Sequence, residues 1–389
     1  MKILYWCPYV GKIGTIKAVI NSAKTFAKDN EVYVYRNINE WDGYFSILKK
    51  NKIKLEDSNL SKLFFFKKNP TGFLTRIYYL IVSFHALLFL PKYLKRKNFD
   101  YIICNLCAIP ILIIKIIFKL KVKVIISIQG YPKFLLRKNQ GIFYSLENKV
   151  RKFFWKLLYN QAYKIICLSE NTKNELFKEN ILYKNNVYVI PNPVIDEEII
   201  NKSNIEIKDN WFNDPYYKKI ITIGRLTKQK DFLTLVDAIN LIKKKLPLKV
   251  LIFGEGEDRF ILEKKIKTHG LQDIIKLYGY NDNPYNYLKN SDIFVLTSLW
   301  EDPGHVILEA AYLKTPIIST ACPSGPQDLL LNGKAGDLCK MKDCECISKA
   351  IISNIKRGPD LRKIELAYKK SLKYTDIEHH NELLKVLKY

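Results

Sequence analysis

Arg225 and Lys230 bracket a short loop, Gly224-Arg225-Leu226-Thr227-Lys228-Gln229-Lys230-Asp231, which leaves the apolar run Ile220–Ile223 and enters a helical pattern. Two fixed cations beside the free amides that open a helix suit a phosphate group, because dipole and charge act in the same direction. A second constellation lies in Ser298-Leu299-Trp300-Glu301-Asp302-Pro303-Gly304-His305-Val306-Ile307-Leu308-Glu309. Glu301 falls on the loop after an apolar run, and Glu309 about two turns into the helix that follows. Carboxylates so placed can grip different hydroxyls of one elongated ligand. Pro303 suits the first turn of that helix, and Gly304 permits close backbone approach. Each piece alone has a plain explanation: solvated cations in a Lys-rich chain, or a capping Glu and a surface Glu. The setting makes them specific.

Gly254-Glu255-Gly256-Glu257-Asp258-Arg259 begins like a G-x-G-x-x-G dinucleotide fingerprint, but Arg259 stands at the third glycine. Glu255, Glu257 and Asp258 would also repel a pyrophosphate. The segment therefore argues against a nicotinamide site; Gly254 and Gly256 permit a tight strand-to-helix turn beside a ligand. The eight cysteines are scattered, with one CxxC (Cys104, Cys107) and one CxC (Cys344, Cys346) in opposite halves. Four converging ligands are not in sight, so reduced thiols and no metal site are expected.

The elements that must position these residues alternate from end to end. Candidate strands are Lys2–Trp6, Val32–Arg36, Tyr101–Cys104, Val122–Ile128, Ile165–Leu168 and Val187–Ile190. Ile220–Ile223, Val250–Phe253, Ile275–Leu277, Ile293–Leu296 and Ile317–Ser319 follow in the second half. Most are continuous apolar runs, as strands covered on both faces require. Helical stretches lie between them; Phe232–Lys245 carries Phe232, Leu235, Val236, Ile239 and Ile242 on one stripe. This βα alternation predicts an α/β protein with parallel sheets and right-handed crossovers. Pro191-Asn192-Pro193 ends one strand and residues 196–218 are polar, so the reading is two doubly wound domains, 1–190 and 219–369, joined by a linker, 191–218. Ligands in such sheets bind beyond the carboxyl ends of the strands, here in a cleft between the domains.

Lys and Arg number 64 against 38 Asp and Glu, a net charge of +26. Residues 1–200 hold 33 of the basic and 14 of the acidic side chains, so the excess sits mainly in the first half. No helix-turn-helix, zinc finger or aromatic RNA-binding signature accompanies it, which argues against a nucleic-acid partner. Phe73 to Leu90 is an 18-residue apolar run interrupted by Arg76 and His85 and flanked by Lys67, Lys68, Lys92, Lys95, Arg96 and Lys97. Arg76 is costly inside a bilayer, so the segment reads as a domain helix whose outer apolar and basic face touches an anionic membrane surface. The N-terminus, broken by Pro8, does not read as a signal peptide, and a cytoplasmic protein, peripheral on the inner membrane, is expected.

GRLTKQKDF from Gly224, FGEGEDR from Phe253, YGYNDNP from Tyr278, SDIFVLTS from Ser291, the Glu301/Glu309 pair and SGPQD from Ser324 occur in that order. Together they resemble family 4 of the retaining glycosyltransferases, closely over residues 186–340 and loosely before; IPNPV at 190–194 resembles that family's interdomain signature. The resemblance implies the GT-B architecture, two Rossmann-like domains facing across a cleft, with a C-terminal helix at about 370–389 packed back on the first. It implies retaining, metal-independent transfer from a nucleotide-diphosphate sugar, UDP-sugar favoured and no cofactor needed. The acceptor would be a glycan or lipid-diphosphate-linked glycan in cell-surface polysaccharide synthesis. Arg225 and Lys230 match the pair that neutralises the diphosphate, Glu301 the carboxylate against the transferred sugar, and Glu309 the ribose ligand. Gly304, His305 and Val306 match the loop on sugar and phosphate. Tyr280 falls where the family holds the base, Gly14 matches the diphosphate-facing glycine of the first domain, and Gly254 lines the donor site. Where relatives carry a sugar-contacting His, this chain has Gln129, which can hydrogen-bond but cannot act as a base. A protein of the same fold that binds, isomerises or hydrolyses nucleotide sugars without transfer is the alternative.

Overall fold

The computed structural model describes residues 1–10, 14–58, 60, 73–130, 132, 142–301, 304–322 and 325–388. Pro303, Ser324, Lys67 and Lys68 lie outside them. The chain divides into two units, Met1–Pro193 with Asp376–Tyr389, and Val194–Thr375.

In the first unit β1 (Lys2–Trp6), β2 (Glu31–Arg36), β3 (Lys54–Asp57), β4 (Tyr101–Cys104), β5 (Lys123–Ile128), β6 (Lys164–Cys167) and β7 (Val187–Val189) form one sheet. Its order is β3-β2-β1-β4-β5-β6-β7, and the pairings are parallel. The intervening helices are α1 (Gly14–Phe26), α2 (Phe45–Lys50), α3 (Phe73–Lys97), α4 (Ile109–Ile117), α5 (Ile142–Leu158) and α6 (Glu170–Lys178). The central strands are apolar throughout because both faces are covered. Ile3 and Tyr5 pack into one layer with α1, while Leu4 and Trp6 pack into the other with α3 and α4.

The second unit begins with α7 (Glu197–Ser203) and α8 (Asn210–Asn213), where the sequence reading expected a linker. Its polar composition hides five anchors: Val194, Ile195, Ile199, Ile207 and Phe212 are buried in that unit's core. β8 (Lys218–Ile223), β9 (Leu248–Phe253), β10 (Ile275–Gly279), β11 (Ile293–Leu296), β12 (Ile317–Thr320) and β13 (Asp337–Cys339) form a parallel sheet of order β10-β9-β8-β11-β12-β13. Its helices are α9 (Phe232–Ile242), α10 (Arg259–Thr268), α11 (Tyr285–Lys289), α12 (His305–Tyr312), α13 (Pro326–Leu329), α14 (Cys344–Arg357) and α15 (Leu361–Ser371). One correction concerns the thiols: Cys339 and Cys346 form a disulfide that ties the end of β13 to the first turn of α14, and the other six cysteines are free. The turn between β13 and α14 brings these two residues, seven apart in sequence, together; Cys346 sits in the CxC and Cys339 in neither motif, so the motifs do not announce the pair.

The chain then returns to the first unit as α16 (Asp376–Lys388), which lays Leu383, Val386 and Leu387 into the layer built by Ile16, Val19, Ile20 and Phe26 of α1. A buried polar chain fastens it. His379 Nδ1 lies 2.8 Å from the Pro191 carbonyl and Nε2 3.0 Å from Ser22 Oγ, itself 2.9 Å from Tyr5 Oη. A carbonyl only accepts, so Nδ1 carries the proton and the neutral ring's Nε2 accepts from Ser22. Burial holds the His379 pKa down from 6.5 to about 4. The neutral form therefore stabilises the fold fully above pH 6.5, and this contribution is lost as pH falls toward 4, about 3 kcal/mol in all. Denaturant titrations at about pH 7.5 and 4.5 should show that loss in the natural chain and a much smaller one in His379→Gln.

α3 is a core helix with an apolar back. Tyr78, Val82, Ala86, Leu90 and Leu94 are buried against the sheet, whereas Leu80, Phe84 and Leu88 are 69%, 66% and 57% exposed. Arg76–Lys97 is long and apolar enough to cross a membrane by length and composition, but its buried stripe is part of the first unit's core.

Candidate functional site

In the second sheet the chain runs outward from β8 to β10, then returns to β11 beside β8 and runs outward the other way. The carboxyl ends of β8 and β11 are thus the switch point where loops part and leave a crevice. Lys230, after β8, and Glu301, after β11, meet there: Nζ donates to Oε1 at 2.5 Å, with the two side chains 14% and 7% exposed. Ser298 donates to the same Oε1 at 2.6 Å. Below the pair, Thr297 donates to the Lys230 carbonyl and Thr320 to the Ser298 carbonyl, at 2.8 and 2.6 Å. The Lys230 stem runs across Gly224, where an added Cβ would stand 3.0 Å from its Cε. Cys322 is close enough to feel both charges, and burial pushes its thiol up to about 12.

Three loops are locked together behind this pair. Gly224 N donates to Phe253 O, Leu226 N to Glu255 O and Gly254 N to Gly279 O, at 2.8 to 3.0 Å. A Cβ on Gly254 would lie 1.9 Å from Gly224 O, and one on Gly256 2.2 Å from Leu226 O. This close approach of backbones accounts for the two glycines that sequence reading placed beside a ligand. Arg225 is exposed and has no hydrogen bond or ion pair among the described residues.

Gly304, at φ +94°, turns the chain into α12, so the amides of His305 and Val306 open that helix next to Glu301. Glu309, on the same helix, is buried and accepts from Tyr285 Oη at 3.2 Å. Burial and the Glu309 charge hold the Tyr285 phenol far above its usual range, so it remains a donor. Tyr280 stands on the loop after β10, its side chain 63% exposed. Asp231, at the start of α9, holds a carboxylate that accepts from Thr234 Oγ1 at 2.7 Å. The first turn of α9 therefore already has an anion, and α12 is the helix start that opens beside Glu301.

In the first unit Gly14 is the exposed first residue of α1, residues 11–13 lying outside the described ones. Gln129 follows β5 and is a brace: Nε2 donates to Ser127 Oγ at 2.7 Å and Oε1 accepts from Asn192 at 2.8 Å. Sequence reasoning missed Ser298 and Tyr285. Ser298 had a local signal, three residues before Glu301 on one loop; Tyr285, 24 residues before Glu309, had none.

Residues 203–370 match the family model of glycosyl transferases group 1, and residues 60–198 that of glycosyltransferase family 4. The chain belongs to the group 1, family 4 glycosyltransferases. Among the curated relatives of this chain is an uncharacterised glycosyltransferase of Methanocaldococcus jannaschii, 30% identical over 58% of this chain and 55% of its own. Another is the N-acetylgalactosamine-N,N'-diacetylbacillosaminyl-diphospho-undecaprenol 4-alpha-N-acetylgalactosaminyltransferase of Campylobacter jejuni, 26% identical over 65% of each chain. The matches thus span between half and two thirds of these relatives' lengths. HepE of Anabaena, solved with UDP and glucose, superposes with a TM-score of 0.73 over 100% of this chain and 99% of its own, at 17% identity. The fold of this chain is accordingly GT-B.

Proposed function

We propose that this protein transfers a sugar, with retention, from a UDP-sugar to a lipid-diphosphate-linked glycan during surface polysaccharide assembly. The observation that carries the reading is the buried Lys230–Glu301 pair at the switch point, beside the opening of α12. The diphosphate lies against Arg225, Lys230 and the amides of His305 and Val306, which stabilise the charge that develops as the sugar–phosphate bond breaks; no metal is required. Glu309 takes the ribose hydroxyls, Tyr280 stacks on the base, and Glu301 orients the sugar without becoming covalently attached. The acceptor hydroxyl attacks on the face the diphosphate leaves, and its proton passes to a departing phosphate oxygen.

The Campylobacter relative, named for a diphospho-undecaprenol acceptor, and the UDP and glucose held by HepE support this choice of acceptor and donor. The exposed apolar back of α3 and its basic C-terminal end, Lys95, Arg96 and Lys97, fit a protein resting on the cytoplasmic face of an anionic membrane, with no nucleic-acid partner.

The test is a thermal-shift panel of nucleoside diphosphates and their sugars, followed by transfer of labelled sugar to prenyl-diphosphate glycans in anionic vesicles. UDP at about 100 times its Kd should add about 2.7 kcal/mol. Arg225→Ala should weaken UDP binding about tenfold with unchanged stability, since its side chain is exposed and bonds nothing among the described residues. No shift with any nucleotide would remove the reading; label released as free sugar with every acceptor would replace transfer by hydrolysis.

A further inference from the structure

A cavity of about 370 Å³ in the first unit opens at the carboxyl ends of β4 and β5, walled by α3 and α5. It has the size of a small-ligand site. Asn105, 7% exposed, lines it, and its Oδ1 is buried with no hydrogen-bond partner among the described residues. A buried amide oxygen left without a donor is costly unless something supplies one, and a ligand hydroxyl is such a donor. Trp155, stacked on Tyr159 with ring centroids 4.1 Å apart, forms an apolar wall, and Arg151 forms part of the rim.

Tyr79 lines this cavity and also a second, more open hollow of about 400 Å³ bordered by Arg76, Leu80 and Glu147. Arg76 and Arg151 both reach Glu147, at 2.6 and 3.0 Å, so two guanidinium groups share one carboxylate and the mouth keeps a net positive charge. From Arg76 the exposed line of α3 continues through Leu80, Phe84 and Leu88, each one turn further on. A donor-seeking amide inside, a cationic mouth and an apolar track leading away follow one another in the order of a hydroxylated head, an anionic joint and a hydrocarbon tail.

We infer that this cavity, mouth and track bind the acceptor: the sugar at Asn105, its diphosphate at Arg76 and Arg151, and the hydrocarbon chain along Leu80, Phe84 and Leu88. The assignment rests on the proposed lipid-diphosphate acceptor and supplies its site.

Farnesyl diphosphate is the probe, titrated calorimetrically into the full chain beside farnesol and inorganic pyrophosphate. It should bind at least about tenfold more tightly than either. Arg151→Ala should weaken it about tenfold. Arg151→Lys, which keeps the charge without the fork, should recover part of that. Phe84→Ser should weaken it severalfold, and UDP affinity should be unchanged in all three. Farnesol binding as tightly would reduce the site to an apolar surface, pyrophosphate binding as tightly would make it a phosphate site, and indifference to Arg151→Ala would place the ligand elsewhere; each overturns the inference. Asn105→Ala should leave farnesyl diphosphate binding intact but raise the KM for a prenyl-diphosphate-linked sugar severalfold, and an unchanged KM overturns the placement of the sugar. Failure of the proposed function would look different: farnesyl diphosphate would still bind, yet no lipid-linked acceptor would be glycosylated.

Discussion

Lys230→Met is expected to lower sugar transfer by about 10³-fold and to destabilise the second unit by about 3 kcal/mol. The two losses have separate causes. Transfer fails because a cation aimed at the developing diphosphate charge is gone. Stability falls because Glu301, only 6% exposed, keeps the Ser298 hydroxyl but loses its countercharge. Methionine retains the stem that lies over Gly224, so packing is not the variable. The double variant Lys230→Met/Glu301→Gln separates them: it should recover most of the stability, having no lone buried charge, and none of the turnover. Equilibrium unfolding and single-turnover transfer on the three proteins decide the matter. Full turnover in Lys230→Met would sink the site, and recovery of turnover in the double variant would make the pair structural only.

The second large effect belongs to a residue that needs no contact with the nucleotide. Gly254→Ala would drive a Cβ to 1.9 Å from Gly224 O at φ +136°, where non-glycine residues are strained. The three loops joined by backbone hydrogen bonds must part, at a cost of at least about 3 kcal/mol, and nucleotide affinity should fall with them. Gly270→Ala is the control, at φ +60° with nothing within 4 Å, and should cost about 1–2 kcal/mol with binding intact. Weak UDP binding by a fully stable Gly254→Ala protein would instead show that Gly254 touches the ligand.

Most of the strands were legible because burial on both faces makes them uninterrupted apolar runs. The two missed ones are edge strands: β3 reads KLED, mostly exposed, and β13 is three residues long, with one buried. An edge needs less apolar sequence than a centre, so periodicity gives no warning. Within the site, Lys230 and Glu301 were legible as post-strand residues, but their meeting was not. The strand that ends at Ile223 and the one that begins at Ile293 are brought side by side only by the reversal of strand order, with β9 and β10 lying between them in the chain. Ser298 and Tyr285 were hidden for a related reason, since each acts through a partner's side chain and carries no chemistry by itself. The residues read as a linker failed differently: their five apolar anchors, at 194, 195, 199, 207 and 212, are too irregularly spaced in a polar stretch to form one periodic stripe.

The return of α16 to the first unit has a consequence for how the protein is made. The layer formed by Ile16, Val19, Ile20 and Phe26 is closed by Leu383, Val386 and Leu387, which are synthesised only after the whole of residues 194–375. During translation the second unit, continuous in sequence, can complete its core first, while the earlier-made unit waits with an apolar layer uncovered. That waiting interval is when the nascent chain is most exposed to aggregation, and when a chaperone that shields apolar surface would matter most.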